Sequence, residues 1–283
     1  MLTPYPMQHT ATTERLTHPS IDVMSGRMKV TTWNVNGMRA ALRKGFDTHL
    51  RRIKPTVLLL QETRALPEQL PPNRANPRNW HVHWHSAEKK GYAGTAIWSR
   101  HPIEVLSTGL DASDPEGRVL RVRTGGIQVV SVYLPSGSRS EEAQVRKDAW
   151  MADFADWMRE LNSSSEPVVV GGDLNIAHTP DDIHNPTGNK KTSGFLPHER
   201  EWFTELLAQG WNDTQRASVG PGKGPYSWWS NRGKARELNR GWRIDYLLTN
   251  PACPAVLDVS TDRKAGLACS DHAPVTVTLD HEF

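Results

Sequence analysis

The chain has 283 residues, 37% of them hydrophobic and 11 of them tryptophan, enough apolar surface for a large core; length alone leaves one or two domains open. A formal charge of +3 is too small to mark a nucleic-acid binder by itself. Two cysteines, Cys253 and Cys269, exclude a disulfide-built scaffold and fit a reducing, cytoplasmic compartment.

Residues 1–27 carry no charged-then-apolar secretory pattern and no periodicity, so a disordered leader is expected there, followed by a single domain over 28–283. No apolar run approaches the roughly 20 residues that cross a bilayer, and no membrane partner is expected. Apolar or alternating runs predict strands over 29–33, 57–60, 95–98, 119–122 and 127–133, then over 168–170, 244–248, 256–259 and 275–279. Leu42, Phe46, Leu50 and Ile53 share one helical face and predict a helix over 38–53. In residues 80–85, Trp80, Val82 and Trp84 alternate with His81, His83 and His85, which reads as an ordinary strand. Three histidines side by side on one strand rarely close a coordination shell, so no metal is assigned to them. Ser138 and Glu141 have the spacing of a capping box and open a helix through Trp150, Phe154, Trp157 and Leu161. Pro197 and Gly210 bracket a third helix over 197–209. Strands outnumber helices and follow one another directly, which predicts an α+β fold of two packed sheets with helices outside.

Polar residues recur just past these strands. Trp33 leads into Asn34 and Asn36, Leu60 into Gln61-Glu62-Thr63, and Val170 into Gly171-Gly172-Asp173-Leu174-Asn175. Any one of them reads equally well as a turn or cap residue, and their recurrence is what points to a site. Asp271 and His272 stand side by side before the last strand, and Asp245 offers a third group to orient the imidazole. Between 225 and 245, Tyr226, Trp228, Trp229 and Trp242 interleave with Arg232, Lys234, Arg236, Arg240 and Arg243. That composition suits phosphate neutralisation and stacking, or equally a pair of core tryptophans with a solvated basic loop.

Taken in order, Trp33-Asn34-Val35-Asn36-Gly37-Met38-Arg39-Ala40, Gln61-Glu62-Thr63, Tyr133-Leu134-Pro135, Gly172-Asp173-Leu174-Asn175, Trp242-Arg243-Ile244-Asp245-Tyr246 and Ser270-Asp271-His272-Ala273-Pro274 resemble the signature motifs of exonuclease III-type AP endonucleases, within the endonuclease/exonuclease/phosphatase superfamily. The resemblance implies a four-layer αββα sandwich of two mixed sheets flanked by helices, with the active site at one edge. It implies Mg2+, or Mn2+ in its place, on Glu62 with Asn34 beside it and Asp271 as an additional ligand. Asp173 would orient or deprotonate the attacking water, Asn175 would contact the phosphate, and His272, oriented by Asp245, would donate to a phosphate oxygen with Tyr133 beside it. Trp228, Trp242 and Ile244 would wall a pocket for a flipped-out abasic sugar, while Arg139, Asn185, Lys190, Lys191 and Arg240 would meet the DNA backbone. Two positions depart from the pattern: Asn36 stands where relatives carry Asp, and Ser136 where many carry Asn.

The implied activity is cleavage of the phosphodiester 5′ to abasic sites in duplex DNA, with 3′ phosphodiesterase or 3′–5′ exonuclease activity. The implied partner is double-stranded DNA with abasic or 3′-blocked sites, bound by a monomer. A phosphoesterase of the same scaffold acting on lipid headgroups, inositol phosphates or RNA is the alternative, and an inactive binding module is a third reading that the intact residue set disfavours.

Overall fold

The structure, a computed structural model, describes residues 27–110 and 113–282, so the expected leader lies outside the described residues except for Arg27. In chain order the elements are β1 (Met28–Asn34), α1 (Met38–Arg43), α2 (Phe46–Ile53), β2 (Val57–Gln61), α3 (Pro72–Ala75), β3 (His81–His85), β4 (Thr95–Ser99), β5 (Glu104–Thr108), β6 (Val119–Thr124) and β7 (Ile127–Tyr133). There follow α4 (Glu141–Asn162), β8 (Val168–Asp173), α5 (Pro197–Ala208), β9 (Asn212–Asp213), α6 (Thr214–Val219), β10 (Asp245–Thr249), β11 (Val256–Thr261), α7 (Arg263–Cys269) and β12 (Val275–Leu279).

Two six-stranded sheets result, in the orders β11-β12-β1-β2-β4-β3 and β5-β6-β7-β8-β10-β9. Both are mixed, because β1–β2 and β7–β8 are parallel while their other neighbours are antiparallel. The period of two explains the layering. In β2, Val57 and Leu59 face the opposite sheet while Leu58 and Leu60 face α1 and α2; in β8, Val169 faces inward while Val168 and Val170 meet α4 and α5. Strands buried on both faces read as continuous apolar runs, which is why Leu58-Leu59-Leu60 and Val168-Val169-Val170 stand out in the sequence. The arrangement is the expected αββα sandwich.

Several expectations need correction. The helix over 38–53 is broken at Lys44-Gly45, where Gly45 takes a left-handed φ of 92° and starts α2 afresh. The helix after Tyr133 is capped by Ser140, whose hydroxyl accepts from Ala143 N at 3.2 Å, and not by Ser138. Ser138 is engaged in its own loop, its hydroxyl 3.0 Å from that of Ser136. The elements missed were β5, β9 and the short helices α3, α6 and α7. The strand through the histidines is real: β3 is an edge strand whose Trp84, with Trp80 beside it, packs edge-on against Trp98 at about 6 Å.

The topology gathers chain ends at one rim of the sandwich. The parallel strands β1 and β2 finish at Asn34 and Gln61, and β7 and β8 finish at Tyr133 and Asp173 in the facing sheet. The antiparallel neighbours begin at the same rim, with Asp245 of β10 paired to Asp173 and β12 starting three residues after His272. Close strand approach is needed there: a Cβ on Gly172 would collide with the Val132 carbonyl oxygen.

Candidate active site

At the rim the chain turns sharply. Asn36, Glu62 and Asn175 all have left-handed φ, at 45°, 49° and 50°, a conformation that costs a non-glycine residue energy and recurs at functional sites. Two of these turns are held by the side chain before them, since Asn36 N donates to Asn34 Oδ1 at 3.0 Å and Asn175 N donates to Asp173 Oδ1 at 2.9 Å. The third is tied to a neighbouring loop, with Gly37 N donating to Glu62 O at 2.8 Å.

Asn34 joins the two sheets chemically. Its Nδ2 donates to Glu62 Oε1 at 2.8 Å and to Asp173 Oδ2 at 2.9 Å, so two buried carboxylates converge on one amide. Glu62 is also paired with Arg64. Burial foremost, then the nearby charges of Asp245 and Glu62, raise the Asp173 pKa to about 7 against the opposing pull of His272.

His272 is held from behind. Its Nδ1 lies 2.9 Å and 3.2 Å from the two oxygens of Asp245, and its Nε2 points to Asp173 Oδ2 at 3.8 Å. Burial disfavours the imidazolium, but Asp245, Asp173 and Asp271 outweigh it and raise the pKa to about 10. The ring is therefore a proton donor at neutral pH. The start of β10 is fixed by Ser227, whose hydroxyl accepts from Ile244 N and Asp245 N at 3.1 and 3.0 Å.

Asp271 accepts from Asn36 Nδ2 at 2.8 Å and from Trp228 Nε1 at 3.2 Å. Burial works against its charge, yet His272, Asn36 and Trp228 together hold its pKa below the usual carboxylate value. Tyr133 is half-buried, with the Arg118 guanidinium 4.7 Å from its ring centre. Burial, Glu62 and Asp173 push its phenol well above the ordinary range, which leaves it neutral and able to donate.

A cavity of about 280 Å³ opens between these groups, bounded by Glu62, Tyr133, Asp173, Asn175, Asp271 and His272 on the polar side and by Trp228, Trp242 and Ile244 on the apolar side. The two indoles meet edge to face, 6.0 Å apart at 89°, and exchange backbone hydrogen bonds that lock their relative position. Asn34 and Asp245 stand behind this lining. Arg139 and Lys191 border an adjoining groove, whereas Asn185, Lys190 and Arg240 sit on exposed loops outside the cavity wall. Sequence reasoning missed Arg64, Thr192 and Ser193, which also face the cavity. Arg64 had a signal, a cation two residues past the acid at a strand end; the two hydroxyls had none.

Among the described residues, the side chains spaced to hold a metal are Glu62, Asp173 and His272, with ligand atoms within 4.8 Å of one another. His272 is engaged by Asp245 through Nδ1 and faces Asp173 through Nε2, and the other donors at the site are carboxylate and amide oxygens, the set that suits a hard divalent cation. His81, His83 and His85 form no such group, and His85 bonds Asp114 at 3.1 Å instead.

Known proteins resemble the chain over most of its length. The profile of the Endonuclease/Exonuclease/phosphatase family matches residues 31–272. An exodeoxyribonuclease of Bacillus subtilis is 36% identical over 256 residues, covering 89% of this chain and 100% of that protein. A DNA-(apurinic or apyrimidinic site) endonuclease of Dictyostelium discoideum is 33% identical, covering 94% of this chain and 74% of its own length. Among solved structures, the 3′ phosphatase NExo from Neisseria bound to a product DNA hairpin superposes with a TM-score of 0.81 at 33% identity, covering 89% of this chain and 99% of the other.

Proposed function

The chain belongs to the endonuclease/exonuclease/phosphatase family, and from that premise we propose that it is a DNA repair nuclease hydrolysing the phosphodiester 5′ to abasic sites in duplex DNA, with 3′ phosphodiesterase or 3′–5′ exonuclease activity. The observation that carries the reading is the meeting of Asn34, Glu62, Asp173 and the Asp245–His272 pair beside a pocket walled by two tryptophans.

Each residue has a task in an in-line displacement at phosphorus. Asp173, buried and with one oxygen toward His272, orients the attacking water and receives its proton. His272, kept in one orientation by Asp245, donates to a non-bridging oxygen as negative charge grows there. Tyr133 and Asn175 add neutral donors to the phosphate. Magnesium, or manganese in its place, held by Glu62, Asp271 and the second lone pair of Asn34 Oδ1, would supply charge neutralisation at the phosphate.

The pocket supports this choice of substrate. Trp228, Trp242 and Ile244 line an apolar slot that suits a sugar without its base, and extrusion costs least where no base is stacked or paired. Arg139, Asn185, Lys190, Lys191 and Arg240 would hold the duplex by its phosphates, without reading sequence. One chain supplies every group of the site, and its two cysteines are free thiols, which supports a cytoplasmic monomer as the working form. No helix among the described residues is long and apolar enough to cross a membrane.

The test is incision of a synthetic abasic duplex with magnesium and with EDTA, against intact DNA, RNA and sphingomyelin. Magnesium-dependent cutting of the abasic strand alone is expected. Preferential hydrolysis of RNA or sphingomyelin would overturn the substrate assignment, and undiminished cutting in EDTA would overturn the metal.

A further inference from the structure

Two fully buried charges take no part in the chemistry above. Lys147 of α4 and Glu199 of α5 are both 0% exposed and pair at 2.6 Å. A buried ion pair is a weak source of stability, since apolar side chains of the same volume serve as well or better. Besides the Gln144 side-chain amide, which donates to Glu199 Oε1 at 3.1 Å, the partners of this pair are backbone atoms of the loops around the active site. Lys147 Nζ donates to the Asn175 carbonyl at 2.9 Å. Glu199 Oε2 accepts from Gly194 N at 2.6 Å and from Leu196 N at 2.9 Å.

The loops so held are pressed together. Gly194 has a φ of 91°, and a Cβ there would lie 2.9 Å from the Asn175 carbonyl oxygen and 3.2 Å from the Trp242 ring. Ala177 N donates to Gly194 O at 2.7 Å, closing the contact from the other side. Asn175 itself is in the left-handed conformation, with its side-chain amide donating to Leu134 O at 2.8 Å. A strained turn persists only while its surroundings over-determine it.

We propose that Lys147 and Glu199 are positioning residues, a buried clamp that fixes the Asn175 turn and the Gly194 loop so that the Asn175 amide stays aimed at the phosphate. The proposal rests on the role given to Asn175 above. Lys147 touches no reacting atom; it acts through the Asn175 carbonyl. Removing its ammonium frees that carbonyl and leaves Glu199 an unpaired buried carboxylate, so the turn relaxes and the amide drifts from its place.

The test is a double-mutant cycle on incision of an abasic duplex, with Lys147→Met, Asn175→Ala and both together, read as single-turnover rate at saturating DNA, DNA Kd and melting temperature. Leu161→Ala, a core truncation at the far end of the same helix, is the control for lost stability alone. Lys147→Met is expected to slow the single-turnover rate by at least about tenfold with Kd within about twofold, since small misplacements of a phosphate contact are costly. In the Asn175→Ala background the same change should cost less than about threefold, because residues acting through one group are non-additive. Leu161→Ala should leave the rate unchanged below its melting temperature. If Lys147→Met does not fold, Glu199→Gln, which keeps the volume, enters the same cycle with the same expectation. A folded Lys147→Met at the wild-type rate, a rate loss matched by Leu161→Ala, or losses that multiply in the double variant would overturn the clamp alone. An Asn175→Ala variant at the wild-type rate would instead overturn the role of Asn175, and the clamp with it.

Discussion

Replacing Asp182 by asparagine tests how the pocket wall is supported. Asp182 is fully buried; its Oδ1 accepts from Arg243 Nε at 2.6 Å and from Arg216 at 2.5 Å, and its Oδ2 accepts from Thr179 N and Oγ1 at 2.9 Å each. Arg243, between Trp242 and Ile244 in the chain, also pairs with Asp213 at 2.8 Å. Burial alone would raise the Asp182 pKa, but Arg243, Arg216 and Thr179 bring it down to about 2 from 3.8. At 1.36 kcal/mol per unit, the ionised form contributes about 2 kcal/mol of folding stability. Because the folded value is the lower one, this contribution is present in full above about pH 4 and fades as pH falls through about 2. Asp182→Asn should therefore be destabilised by about 2 kcal/mol at pH 7, and lower the melting temperature by roughly 4–8 °C for a domain of this size. The deficit should narrow as the pH is lowered toward 3. Urea denaturation of both proteins at pH 7, 5 and 3 measures it. A deficit that is absent at pH 7, or that widens as pH falls, would refute the reasoning.

Glu62→Ala should raise the magnesium concentration for half-maximal incision by at least about tenfold, as expected when a carboxylate ligand is lost, and a metal titration checks it. Asp173→Asn and His272→Ala should each lower kcat by at least about 10²–10³-fold while duplex binding by fluorescence anisotropy survives; wild-type turnover in either would end those assignments. Trp242→Ala should cost about 1–3 kcal/mol of transition-state stabilisation on the abasic duplex, read as kcat/KM, and alter binding of intact duplex much less. An equal loss of affinity for both duplexes would mean that the indole does not wall a sugar pocket.

The fold was legible wherever burial writes itself into composition. Leu58-Leu59-Leu60 and Val168-Val169-Val170 are covered on both faces, so they carry an unbroken apolar signal, and the polar residues beyond them mark the rim where the strands end. The edge strand β5 carries no such signal, since Glu104, Val105 and Thr108 are exposed and its pairing is interrupted between Val105 and Ser107. The helices α6 and α7 are too short for a periodic stripe and are set by Asp213 and Asp262, which cap them by accepting from Arg216 N at 3.1 Å and Ala265 N at 3.0 Å. Ser138 and Ser140 are two residues apart, and local sequence cannot tell which caps α4; the loop bond to Ser136 decides. Lys147 and Glu199 were invisible for a different reason. Charges on helices normally face water, and only the packing of α4 and α5 on the same sheet turns these two toward each other.

The central claim is that groups scattered from Asn34 to His272 surround one cation and one phosphate. A crystal structure of the Asp173→Asn variant with an uncleaved abasic duplex and manganese, located by its anomalous signal, tests it directly. The account predicts an anomalous peak coordinated by Glu62, the scissile phosphate against His272 and Asn175, and the abasic sugar between Trp228, Trp242 and Ile244. A peak away from Glu62, or a sugar left stacked in the duplex outside that slot, would contradict it.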